Sequence, residues 1–232
     1  MAVKAILFDL DGTLTRGETI VSFYRTVLGE GRAFRLLLRS LPMLGAYALG
    51  WRSNGETKEW VLQRSLAGRY PQEFEQGTME FIDRVLPRLL RDSVWDRLTQ
   101  HRDLGQRLVL VTATLELYAR PWAEQVGFDA VIATRLATDE SGRFTGRLQG
   151  ANCWGPEKAR RLREDLGVNK LAYAYGNSRG DREMLAMAEN PVCICRANRW
   201  GGDLLALSAE SVASTVITPT VQQKLEKTPG NG

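Results

Sequence analysis

Two carboxylates stand one residue apart in Asp9-Leu10-Asp11-Gly12-Thr13, directly behind the apolar run of residues 3–8. A β-type run that ends in acids and a Gly-Thr turn sets those acids at a strand's carboxyl end. Ligands of open α/β sheets bind there. A carboxylate in that place can attack a phosphorus atom and carry the phosphoryl group covalently. Its neighbour can share a cation or move a proton. The same residues also suit a turn with a capping Asp, so their weight depends on what the rest of the chain brings to them.

Three further segments carry related chemistry. Thr112 follows the apolar residues 108–111 and precedes Ala113 and Thr114. A hydroxyl at a strand end, with the backbone N–H of a small residue such as Ala113 beside it, can hold a phosphate oxygen. The alternative is a helix N-cap by Thr112 or Thr114. Lys158 lies in the first turn of a helix-like stretch opening at Gly155-Pro156. The helix dipole disfavours a cation there, which separates this lysine slightly from an ordinary solvated one. Pointed at Asp9, it would offset carboxylate repulsion and hold a transferring phosphoryl group. Gly176-Asn177-Ser178-Arg179-Gly180-Asp181 follows another strand-like run. A glycine turn with oxygen ligands suits a hard cation beside phosphate, and a turn ending in an Asp-capped helix accounts for Asp181 as well.

These segments need a frame. Strand-length apolar runs at residues 3–8, 108–111, 171–175 and 192–195 alternate with helix-like stretches, which predicts an α/β fold with a mainly parallel sheet. Residues 130–136 and 143–148 flank Asp139-Glu140-Ser141-Gly142 and predict a hairpin. The interval between the first two runs has no clear strand. It shows apolar residues at helical spacing instead, as in Phe74, Phe81, Val85, Leu89 and Leu90. Too long for one crossover helix, it predicts a helical lid of residues 16–89 inserted into a core of residues 1–15 and 90–232. Hinges fall near residues 15–18 and 89–94. Residues 34–44 mix Phe34 and several leucines with Arg35 and Arg39. They predict a lid-core helix interrupted at Pro42, with a membrane- or acyl-facing surface as the sharper alternative.

Composition narrows the classes. A net charge of +4 and an isoelectric point near 9.1, without a dense basic block, give no reason to expect nucleic-acid binding. Anionic substrates and anionic membrane surfaces remain compatible. The single histidine, His101, excludes histidine-based metal sites and reads as solvated helix. Three cysteines, Cys153, Cys193 and Cys195, have no metal-type spacing and read as reduced thiols of a cytoplasmic protein. The longest apolar run, residues 41–51, is far short of the roughly 20 residues a membrane span needs. The start shows no signal-peptide pattern, and residues 222–232 read as a frayed tail. The oligomeric state is not encoded.

Taken in order, the D-x-D-G-T, the strand-end Thr, the lone Lys and the G-N-S-x-G-D turn resemble the haloacid dehalogenase-like phosphatases. The likeness is to the branch with a helical cap after the first strand, which includes phosphoserine phosphatase and phosphatidylglycerophosphatase-type enzymes. The core resemblance covers residues 2–14 and 90–207. It implies a Rossmann-like three-layer fold and Mg²⁺-dependent hydrolysis of a phosphomonoester. It also implies Asp9 as nucleophile, Asp11 as acid and base, Thr112 on the phosphoryl group and Lys158 as the neutralising cation. The metal set would be Asp9, Asp11, Asn177 and Asp181. The family usually has Gly-Asp where this chain has Gly176-Asn177; an amide oxygen still ligates Mg²⁺ but brings no charge, which predicts weaker metal binding. The substrate is a small soluble ester or a lipid phosphate, with Glu18, Ser22, Lys58 and Ala113 as candidate contacts. In a phosphoserine-type reading, Glu18 takes the part of the acidic residue just after the first motif, and Arg39 or Arg52 that of the lid arginine for the substrate carboxylate. A catalytically weak or inactive phosphate-binding relative is the competing reading, and Asn177 is its only support.

Overall fold

The computed structural model describes residues 5–169 and 171–194. Its strands, in chain order, are Ala5–Phe8 (β1), Leu108–Leu115 (β2), Ala130–Thr134 (β3), Leu136–Thr138 (β4), Phe144–Leu148 (β5), Leu171–Gly176 (β6) and Ala188–Cys193 (β7). Five of them form one parallel sheet in the order β3-β2-β1-β6-β7. The chain builds outward from β1 in both directions, so the crevice beyond the carboxyl end of β1 is the topological switch point.

Residues alternate across β1. Ile6 and Phe8 join a core with Leu98, Tyr118 and Trp122, while Ala5 and Leu7 pack with Leu162, Met184 and Leu185. Helices Asp92–Asp103 and Glu116–Val126 thus cover one face, and Pro156–Leu166 and Arg182–Leu185 the other. Burial on both faces explains why β1 reads as a continuous apolar run rather than an alternating one.

Between β1 and the helix at Asp92 the chain is helical: Ile20–Leu28 (α1), Glu30–Ala48 (α2), Asn54–Ser65 (α3), Glu75–Glu80 (α4) and Leu86–Leu89 (α5). Asp92–Asp103, Glu116–Val126, Pro156–Leu166 and Arg182–Leu185 continue the numbering as α6 to α9. A capping box of Ser53 and Glu56 starts α3. Where the helical segment leaves and returns, Thr15 bridges Leu90, Arg16 N donates to Leu89 O (2.8 Å), and Arg91 N donates to Leu14 O (2.7 Å).

Several expectations change. Residues 130–136 were expected in the hairpin, but Ala130–Thr134 completes the main sheet beside β2, and only Leu136–Thr138 pairs with β5. The burial of Val131, Ile132 and Ala133 decides this. The hairpin packs on α3 so closely that a Cβ on Gly146 would meet Gln63 Cα at 2.6 Å. Strand β7 begins at Ala188 rather than residue 192. Cys193, which ends it, is disulfide-bonded rather than a thiol, whereas Cys153 is free and buried. Cys195 and the expected tail lie outside the described residues. His101 is buried, not solvated: its Nε2 lies 2.8 Å from Tyr175 Oη and its Nδ1 2.5 Å from Gln106 Oε1. Pro42 does not interrupt α2, which runs through it, although proline removes one helical hydrogen bond.

Candidate active site

Asp9 follows β1 directly, with its N–H donating to Tyr175 O of β6 (3.0 Å). The chain then turns sharply. Gly12 has φ +76°, and a Cβ there would come within 2.0 Å of Asn177 Nδ2, so only glycine lets the first loop lie against the turn after β6.

Lys158 is the electrostatic centre. It is 2% exposed, and its Nζ donates to Asp9 Oδ1 (2.7 Å), Asp181 Oδ1 (2.6 Å) and Val111 O (3.0 Å). All three ammonium donors are thereby used. Burial opposes its charge, but the carboxylates of Asp181 and Asp9 outweigh burial and hold its pKa above the ordinary value. Burial also works against ionised Asp181, where Lys158 prevails and keeps the carboxyl low. Asp9 goes the other way: burial first, then the Asp181 charge, raise it to about 7 against the pull of Lys158. The arrangement is a cation clamped between two acids, one firmly ionised and one poised near neutrality.

The lysine reaches this point because α8 starts there. Gly155, at φ +61°, turns the chain into Pro156, and its N–H donates to Gly180 O (2.9 Å). Trp154 lies over Gly180, where an added Cβ would meet the indole Nε1 at 2.4 Å.

The turn after β6 is organised by Asp181. Its Oδ2 accepts from Asn177 N (3.1 Å), Ser178 N (2.9 Å) and Ser178 Oγ (2.8 Å), while Oδ1 faces Lys158. Asn177 presents its side chain towards the first loop. Thr13 Oγ1 lies 3.0 Å from Asp9 Oδ2 and 3.3 Å from Asn177 Oδ1, so two hard oxygens converge on one hydroxyl. An all-oxygen set of this kind fits a hard divalent cation. Among the described residues no three His, Cys, Asp or Glu side chains form such a group by themselves, in keeping with an amide at position 177.

Asp11 turns towards Thr19, whose N–H and Oγ1 donate to Oδ1 at 2.8 and 2.6 Å. Burial raises its pKa, and the Thr19 hydrogen bonds oppose that rise. Tyr118 Oη lies 2.7 Å from Thr19 Oγ1 and also bonds Thr114 Oγ1, linking the helical segment to β2. Thr112 lies inside β2, at a register shift against β3 between Val111 and Leu115, rather than after the strand. Its Oγ1 accepts from Thr114 N (3.1 Å), but α7 begins only at Glu116, so it is no helix cap.

A cavity of about 1160 Å³ joins these groups to the helical segment. Asp9, Asp11, Thr112, Lys158 and Asn177 line one end, and Glu18, Lys58, Arg52 and Ala113 also border it. Ser22 and Arg39 do not, because α1 and α2 turn them elsewhere. Burial, then the Asp11 charge, raise Glu18. Lys58 bonds Ala113 O and Asn152 Oδ1 (2.7 Å), and burial lowers its pKa to about 8.

Sequence reasoning missed Thr13, Thr19, Tyr118 and Asn152. Thr13 lay four residues beyond Asp9 in the first motif. The others carry no local signal, since only folding brings Thr19 to Asp11, Tyr118 to Thr19 and Asn152 to Lys58.

Residues 6–186 match the family described as haloacid dehalogenase-like hydrolase. Protein CicA of Caulobacter vibrioides is 36% identical over 79% of this chain and 82% of its own length. Phosphoserine phosphatase SerB1 of Mycobacterium tuberculosis is 30% identical over 82% of this chain and 64% of its own length. Among solved structures, a Bordetella pertussis protein of unknown function superposes with TM-score 0.70 and 27% identity, covering 83% of this chain and 90% of its own. A substrate-bound phosphoserine phosphatase gives 0.57 at 18% identity, over 86% of this chain and 95% of its own, which speaks for the fold alone. With its motif loops gathered at the end of a central parallel strand, and with matches of this extent, the chain belongs to the haloacid dehalogenase-like hydrolases.

Proposed function

We propose that this chain is a Mg²⁺-dependent phosphomonoester hydrolase working through a phosphoaspartate at Asp9, with residues 16–89 as a cap over the site. The observation that carries the reading is the buried ammonium of Lys158 held 2.7 Å from Asp9 Oδ1. It neutralises the carboxylate against an incoming phosphoryl group without entering the reaction itself.

Asp9 attacks phosphorus, the P–O bond to the leaving alcohol breaks, and Asp11 delivers a proton to the departing oxygen. A carboxyl raised by burial suits that role. Asp11 then takes a proton from water, which attacks the phosphoaspartate and returns Asp9 and inorganic phosphate. Thr19 holds Asp11 in place meanwhile. Thr112 and the Ala113 backbone border the phosphoryl oxygens. Asp9, Asn177 and the backbone carbonyl of Asp11 would hold the cation, and Asp181 serves by orienting Lys158 and the turn. When bound, Mg²⁺ supplies positive charge to the phosphoryl oxygens.

The apolar wall contributed by Leu36, Leu37 and Leu44 favours an ester of a large apolar alcohol over a small polar one. The name of SerB1 supports phosphoserine as the second reading. A screen with and without Mg²⁺ over phosphoserine, soluble esters and a lysophospholipid phosphate tests both. Full activity in Asp9→Asn would remove the assigned nucleophile.

A further inference from the structure

The outer side of α2 is built for something other than water. Ala33, Leu36 and Ser40 point inward and are buried, whereas Leu38 and Leu41 lie on the outer side at 48% and 54% exposure, and Phe34, 60% exposed, joins them from the rim of the cavity. Trp51, just beyond the helix, extends the patch at 76% exposure. Arg32, Arg35 and Arg39 form a second row along the same helix, and none makes an ion pair among the described residues. A continuous exposed apolar patch marks an interaction surface, and apolar residues flanked by arginines are the pattern of a helix lying in a lipid interface.

We infer that α2 and residues 49–52 dock this protein on an anionic lipid bilayer, with the apolar row in the headgroup–acyl boundary and the arginines at lipid phosphates. Charge selects this occupant. A second copy meeting the same face would bring both arginine rows together, whereas an anionic leaflet neutralises them. Position agrees with it. Phe34, shared with the docking face, and Leu37, Leu44 and Tyr47 beside it border the cavity that also holds Asp9 and Lys158, so docking sets the entrance of the site at the membrane surface. The inference goes beyond the hydrolase reading and does not require it, because the docking face lies apart from the reacting groups.

Flotation of the full chain with phosphatidylcholine vesicles, with and without phosphatidylglycerol, tests it. Binding is expected only to the anionic vesicles and weakens with salt. Replacing Arg32, Arg35 and Arg39 together by Gln lowers partitioning about a hundredfold, roughly fivefold per arginine. Leu38→Ser with Leu41→Ser abolishes flotation while thermal unfolding stays unchanged, which separates docking from misfolding. The idea fails if the wild-type chain does not float, or if the arginine variant floats equally well. It also fails if light scattering shows a dimer that the leucine variant splits, or if hydrogen exchange shows residues 195–232 covering α2.

Discussion

Lys158 owes its position to two acids, and its removal should show what each acid costs alone. Without the ammonium, Asp9 and Asp181 are left facing each other in a buried space. Lys158→Met is expected to lower stability by about 3–5 kcal/mol, the usual penalty for an uncompensated buried charge, read from urea unfolding at neutral pH. An unchanged midpoint would mean the pair is not buried as described. Asn177 makes the opposite test, since a carboxylate there adds charge to the oxygen set. Asn177→Asp should lower the Mg²⁺ concentration needed for half-maximal phosphate release about tenfold or more. No change would take residue 177 out of the cation's reach.

Helix α6 is tied to β6 through a histidine that expects to stay neutral. Burial lowers the pKa of His101 below 6.5, while its bond to Gln106 pulls the other way. Because the folded value is depressed, the stabilisation is complete above pH 6.5 and is lost as pH falls through the folded value. Melting temperature should therefore drop more steeply below about pH 6.5 in the wild type than in His101→Gln; parallel curves would disprove it. Tyr118 ties α7 to the helical segment through Thr19. Tyr118→Phe is expected to cost about 1–3 kcal/mol by leaving buried hydroxyls short of a partner, measured by thermal unfolding. In the proposed reaction it also loosens Asp11.

The strand-end loops and the helical segment both line the cavity, so ligand effects belong to both. Chelation of divalent ions by EDTA should abolish phosphate release, and added Mg²⁺ should restore it. Release unaffected by EDTA would end the metal-dependent reading. No helix among the described residues is long and apolar enough to cross a membrane.

The parallel sheet, the inserted helices and the four motif loops were legible before any coordinates because each is written locally. Apolar runs on strands, three- and four-residue spacing on helices, and glycines at turns all act over a few residues. Asp9, Asp11, Lys158 and Asn177 stand at the edges of such segments, and their roles were implied only by the resemblance of the four motifs, taken in order, to the haloacid dehalogenase-like phosphatases. The bond of Thr19 to Asp11, the burial of His101, the hold of Asn152 on Lys58 and the transfer of Ala130–Thr134 to the main sheet could not. Thr19 is eight residues beyond Asp11 across a turn, and the other pairs lie far apart in the chain; whether such partners meet depends on how loops and whole elements pack. The outer row of α2 belongs with these: a buried and an exposed leucine look alike in sequence until the neighbouring helices take their places.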